Sequence, residues 1–72
     1  MSKKYQAKYQ KLTAKLRSAR QEAGLTQVQA GKLLKKPQAY VSKIERGECG
    51  VDAVELVEFA KVYNKSLSYF VK

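Results

Sequence analysis

The sequence predicts an all-α fold, a compact arrangement of five helices around one core, and three observations carry that expectation. Apolar residues recur every three or four positions through most of the chain, the period of a helix buried on one side. Glycine and proline stand at the joints between these stretches, at Gly24, Pro37, Gly47 and Gly50, with Gly31 the single exception. The chain has 72 residues, so it reads as a single domain over 1–72, with 1–4 free to be disordered. A chain this short buries only about 60% of its unfolded surface, which favours compact helices and makes a dimer useful.

The first helix is expected over roughly residues 4–23. Tyr5, Tyr9, Leu12, Leu16, Ala19 and Ala23 fall within one narrow arc, and Lys8, Lys11, Lys15 and Arg17 occupy the other faces. Gly24 ends it as a left-handed cap. Thr26 is a good N-cap for a second helix running to about Leu34, with Gln29 placed to complete a capping box. Gly31, inside that helix, costs ~1 kcal/mol relative to alanine. Close approach of the next helix is the reading that justifies it, against simple tolerance of a weak helix former.

Lys35-Lys36-Pro37 is a break, because Pro37 cannot continue a helix but suits the first turn of a new one. The third helix then has Val41 and Ile44 facing inward, with Gln38, Ala39, Ser42, Lys43 and Arg46 left outward. Two short helices joined by so tight a break form a helix-turn-helix, whose second helix can lie in a DNA major groove. After the loop Gly47-Glu48-Cys49-Gly50, a fourth helix starts at Val51 or Asp52. Its wheel predicts a core face of Ala53, Leu56, Val57, Phe59, Ala60 and Tyr63, with Val51, Val54, Val62, Glu55 and Glu58 opposite. Asn64 closes it in a left-handed conformation, and Ser66 caps a last short turn. Leu67, Tyr69, Phe70 and Val71 make that turn strongly apolar, so it folds back onto the core, forms a dimer seam, or does both.

Several function classes are excluded by composition. Without histidine and with Cys49 alone, neither a four-ligand zinc site nor a histidine general base can be built. No Ser/His/Asp, Walker or GxGxxG pattern occurs, so the chain is not expected to be an enzyme, and it implies no cofactor, metal or small-molecule ligand. Cys49 reads as a loop residue of a reducing compartment; pairing between chains or oxidant sensing are its alternatives. No apolar run approaches the ~20 residues of a membrane span, and Met1-Ser2-Lys3-Lys4 is not followed by a signal-peptide core. The expected location is cytoplasmic, on the nucleoid through DNA, with no membrane partner.

Charge is unevenly distributed. Residues 1–46 hold 12 Lys/Arg against Glu22 and Glu45, whereas residues 47–72 hold three lysines against four acids. A basic front and a near-neutral back turn one surface toward a polyanion.

Four segments in this order and spacing resemble the Cro/phage-repressor (XRE) family of helix-turn-helix regulators. They are L-R-x-x-R at 16–20, G-L-T-Q at 24–27, P-Q-x-Y-V-S-K-I-E-R-G at 37–47 and V-D-x-V-E-L at 51–56. The resemblance covers roughly residues 12–70 and implies a lambda-repressor-like domain with the helix-turn-helix at helices 2 and 3. It implies base contacts from Gln38, Ala39, Ser42 and Lys43. Independently of it, an amide at position 38 can pair bidentately with adenine, and a lysine at 43 can reach guanine O6 and N7. It implies backbone contacts from Gln27, which also buttresses the recognition helix, and from Tyr40 and Arg46, with Lys35 and Lys36 as further cationic backbone contacts. Arg20 and Glu45 match a structural salt bridge joining helix 1 to helix 3. The family usually has leucine at Ala30, alanine at Gly31, and glycine at Lys35, where the turn needs a positive φ.

The expected function is a sequence-specific regulator, most simply a repressor, binding double-stranded operator DNA as a homodimer. A protein-interaction module or antitoxin-like partner with the same fold, or a non-specific nucleic-acid binder, are the alternatives.

Overall fold

The computed structural model describes the backbone of residues 3–71 and the side chains of 10–71. The chain forms helices α1 (Lys3–Glu22), α2 (Gln27–Leu34), α3 (Gln38–Glu45), α4 (Ala53–Val62) and α5 (Leu67–Val71). The stripe positions Tyr5 and Tyr9 lie outside the described side chains. Of the four residues expected to be disordered, Met1 and Ser2 lie outside the described range, and Lys3 and Lys4 already belong to α1.

Each helix from α1 to α4 ends in the same way. Gly24, Lys35, Gly47 and Asn64 have φ of 75°, 60°, 75° and 58°. After each, two backbone N–H groups turn back to carbonyls of the last turn, as in Leu25 N–H to Arg20 O (3.1 Å) and Gly24 N–H to Gln21 O (3.0 Å). This is the Schellman turn, which satisfies carbonyls that the helix itself leaves open. Lys35 adopts the left-handed conformation that glycine would take without strain, at a cost of about 1 kcal/mol.

Helix starts are equally explicit. Thr26 accepts from Gln29 N–H (3.1 Å) and Gln29 Oε1 accepts from Thr26 N–H (2.9 Å). Asp52 and Glu55 form the same reciprocal box at α4, at 2.7 and 3.0 Å. Pro37 is the N-cap of α3 rather than its first helical residue. Its φ of −68° suits both positions, and its ψ of 158° decides for the cap.

The core is built from Leu16 and Ala19 of α1, Ala30 and Leu34 of α2, Val41 and Ile44 of α3, Leu56, Phe59 and Ala60 of α4, Tyr63, and Phe70 of α5. Tyr40, Phe59 and Tyr63 line up as a run of rings, with centroids 6.0 and 5.6 Å apart. α5 folds back against α1 and α4, which buries Phe70 and leaves Leu67 and Val71 exposed. Lys65 fastens this corner, paired with Glu22 at 2.6 Å and lying 4.7 Å from the Tyr69 ring centroid.

Three expectations about faces are corrected. Ala23 is exposed, lying one residue past the end of α1, whose last turn packs through Ala19 and Arg20 instead. Ala53 and Val57 are exposed although the wheel put them in the core. Val51 and Val62, which the wheel put outside, are half-buried against the core. α4 packs against both α2 and α5, and the arc they leave buried is rotated from the centre of its apolar residues.

Two phenols, the buried Tyr63 and the half-buried Tyr40, carry a pH consequence. Burial pushes the Tyr63 hydroxyl well above its ordinary value, and burial followed by the hydrogen bond to Glu55 does the same for Tyr40. A raised folded-state value means that both stay protonated in the fold while the unfolded chain ionises near pH about 10. Their contribution is present below that pH and is lost as pH rises toward the folded values. Thermal midpoints should therefore decline above pH about 10, and less steeply for Tyr63→Phe, whose hydroxyl has no partner among the described residues. Equal slopes for the variant and the parent would refute this account.

Candidate nucleic-acid interface

α2 and α3 share the most extensive helix–helix contact among the described residues, and Gly31 allows their joint to close tightly. A Cβ at that position would lie 2.8 Å from Lys36 O, 3.4 Å from Pro37 C and 3.5 Å from Gln38 N. All three are backbone atoms at the α2–α3 joint, so they cannot swing aside. The missing side chain sets the depth at which α3 sits on α2.

The register of α3 follows from what it buries. Val41 and Ile44 are 0% and 1% exposed and face the core. The opposite face therefore consists of Gln38, Ala39 and Lys43, all exposed, the half-buried Ser42, and Arg46 just beyond the helix end. Neither Gln38 nor Lys43 is held in a hydrogen bond or ion pair among the described residues, so both side chains are available to an incoming ligand. Lys35 and Lys36 are exposed on the turn before α3, with the Lys36 ammonium 5.3 Å from the Tyr40 ring centroid.

Glu45 anchors the inner side of α3. Its carboxylate is almost fully buried and accepts Arg20 Nε at 2.6 Å and Arg20 Nη2 at 3.1 Å. Gln27 Nε2 donates to the same group at 3.1 Å, and the half-exposed Arg17 stands 3.6 Å away. Arg20 uses its remaining edge on Leu25 O at 2.9 Å. One carboxylate thus ties α1, the α1–α2 turn and α2 to α3. Its hydrogen bond, with the carboxylate's charge, raises the Arg20 guanidinium further above its already high value.

Tyr40 sits differently from the outward placement expected of it. Tyr40 is half-buried: its ring stacks on Phe59 and its hydroxyl donates to Glu55 Oε2 at 3.0 Å. Since Glu55 Oε1 also accepts from Asp52 N–H, Tyr40 joins α3 to the start of α4. Glu55, expected on the outward side of α4, is half-buried by the same contact. Gln27 is half-buried, with one amide hydrogen committed to Glu45 and its backbone N–H at the open start of α2.

One member of the site was not anticipated. Arg46 grips Glu48 through two bonds, Nε to Oε2 at 2.6 Å and Nη2 to Oε1 at 3.2 Å, while Nη1 donates to Ser42. The signal was present in the order Arg-Gly-Glu at 46–48, since a glycine in a Schellman turn brings the residue after it back over the last helical turn.

Among the described residues no helix is long and apolar enough to cross a membrane, and no cluster of metal-ligating side chains occurs. Neither curated proteins nor solved structures gave a match to the chain. The profile of the family described as Helix-turn-helix matches residues 16–70, a span that runs from the last turns of α1 into α5 and includes every side chain of the surface just described. With its five helices, its tight α2–α3 joint and that match, the chain belongs to the Cro/C1-type (XRE) family of helix-turn-helix DNA-binding regulators.

Proposed function

We propose that the chain is a sequence-specific transcriptional repressor that binds a pseudo-palindromic operator as a homodimer, with α3 of each protomer in the major groove. The observation that carries this reading is the outward face of α3. It presents an amide, a methyl, a hydroxyl and a cation in succession on a helix whose inner face is anchored by Glu45. Gln38 reads adenine through its bidentate amide, Ala39 meets a thymine methyl, and Ser42 and Lys43 reach further base edges, with guanine the natural partner of Lys43. Arg46, Lys35, Lys36 and the start of α2 at Gln27 hold phosphates. Because the Tyr40 hydroxyl already donates to Glu55, its part is to position α3 beside those contacts.

A single recognition helix covers only a few base pairs. Two related by a dyad, ~34 Å apart, read half-sites one helical turn apart. Occupancy of such an operator by a small dimer represses by excluding polymerase. The three exposed valines and one leucine of α4 and α5 (Val54, Val57, Val71 and Leu67) are an apolar surface from which a dimer contact can be drawn.

Selection of bound duplexes from a random pool tests the reading. Enrichment of an inverted repeat with half-site centres about 10 base pairs apart is expected. Retention without a consensus would leave a non-specific binder, and no retention would favour a protein-interaction role. On the selected site, Gln38→Ala should cost ~1–3 kcal/mol and relax one position while leaving random DNA alone, whereas Arg46→Ala should weaken all sequences about equally.

A further inference from the structure

The cation best placed to meet a phosphate at the end of α3 is already occupied by an anion of the chain itself. Arg46 and Glu48 form a side-on, two-point pair at 2.6 and 3.2 Å, with both side chains about half exposed. That Nε/Nη2 edge is one an arginine offers to a phosphate, because carboxylate and phosphate oxygens present the same spacing to it.

The placement of Glu48 is built into the backbone. Gly47 takes φ +75°, Gly47 N–H bonds Ile44 O at 3.0 Å, and Glu48 N–H bonds Lys43 O at 2.9 Å. These two bonds fold the chain back over the last turn of α3 and hold the Glu48 backbone beside Arg46. On the other side, Ser42 accepts from Arg46 Nη1, so the guanidinium is steadied at the edge of the proposed reading face whether or not Glu48 stays.

We propose that Glu48 is an internal stand-in for a DNA phosphate, which the phosphate must displace from Arg46 when the duplex docks. The inference rests on the DNA-binding reading above. Displacement is easy, because an exposed ion pair contributes little and is weakened by salt. The site of Glu48 also helps: it lies at the carbonyl end of α3, where a negative charge is disfavoured by the helix dipole. Ser42 serves as the pivot that keeps Arg46 in position during the exchange. The consequence is a uniform reduction of affinity for every sequence. Discrimination between sequences is left to the side chains of Gln38 and Lys43, with which the Glu48 carboxylate makes no hydrogen bond or ion pair, although its charge is felt at Lys43.

Equilibrium binding of the whole chain to a fluorescent random-sequence duplex and to the selected operator, at low and near-physiological salt, decides the matter. Glu48→Gln should bind both duplexes about two- to fivefold tighter, the range that an exposed pair permits, with its thermal midpoint close to that of the parent. Glu58→Gln, which removes an exposed acid from α4, controls for the general gain from losing a negative charge and should change binding less. In an Arg46→Gln background the gain from Glu48→Gln should shrink to the size of that control. A Glu48→Gln gain no larger than the control, or one that persists undiminished without Arg46, overturns the proposal while leaving DNA binding intact. Failure of the parent chain and of every variant to bind either duplex at low salt removes the DNA-binding reading, and this inference with it.

Discussion

Replacing Glu45 by alanine is expected to cost about 3–5 kcal/mol, the usual result of removing one partner from a buried ion pair. The loss comes mainly from what is left behind. Arg20 would keep its charge in a nearly buried position, and the Gln27 amide would lose its acceptor. Against the roughly 5 kcal/mol at the lower end for a folded domain, that is most of the stability of so small a chain. The thermal midpoint should drop by more than about 10 °C. DNA affinity, measured at a temperature where the variant is still folded, should drop as well, since α3 loses its tie to α1 and α2. An alanine variant with an unchanged midpoint would remove Glu45 from its anchoring role. Arg20→Ala should hurt less than Glu45→Ala, because Arg17, 3.6 Å from Glu45, stays near the stranded carboxylate.

Gly31→Ala is expected to destabilise even though alanine is the better helix former by ~1 kcal/mol. The added Cβ would stand 2.8 Å from Lys36 O, and relief requires the α2–α3 joint to open rather than a side chain to turn. Overpacking of this kind costs about 1–3 kcal/mol. The joint sets how far α3 stands from α2, so the substitution should also weaken operator binding by shifting Gln38 and Lys43 relative to the contacts at Gln27. Urea unfolding together with operator titration separates the two effects. A variant as stable as the parent, with unaltered affinity, would mean that the helices separate at no cost and that Gly31 is merely tolerated.

What could be read from the sequence was whatever depends on neighbours along the chain. Helix starts at Thr26, the stop at Gly24, the left-handed Asn64 and the inward pair Val41 and Ile44 each follow from a few adjacent residues, and the helices lie close to where those signals put them. The positive φ of Lys35 was legible only through the resemblance, which marked that position as one where glycine is usual. The candidate surface on α3 was legible for the same local reason: with Val41 and Ile44 facing inward, the wheel leaves Gln38, Ala39 and Lys43 exposed.

Contacts between distant residues were not legible in that way. The wheel of α4 is apolar over so wide an arc that periodicity alone does not say which flank is covered. In the packed fold Leu56 is buried, Val62 is half-buried and Val57 is left outside. Tyr40 looked like an outward polar aromatic, but the ring of Phe59 and the carboxylate of Glu55, fifteen residues away, draw it inward. The side-chain amide of Gln27 turns to Glu45, eighteen positions along the chain. Capping and periodicity are short-range forces written in adjacent residues. By contrast, which of several polar partners a side chain takes depends on distances that exist only after the helices have packed.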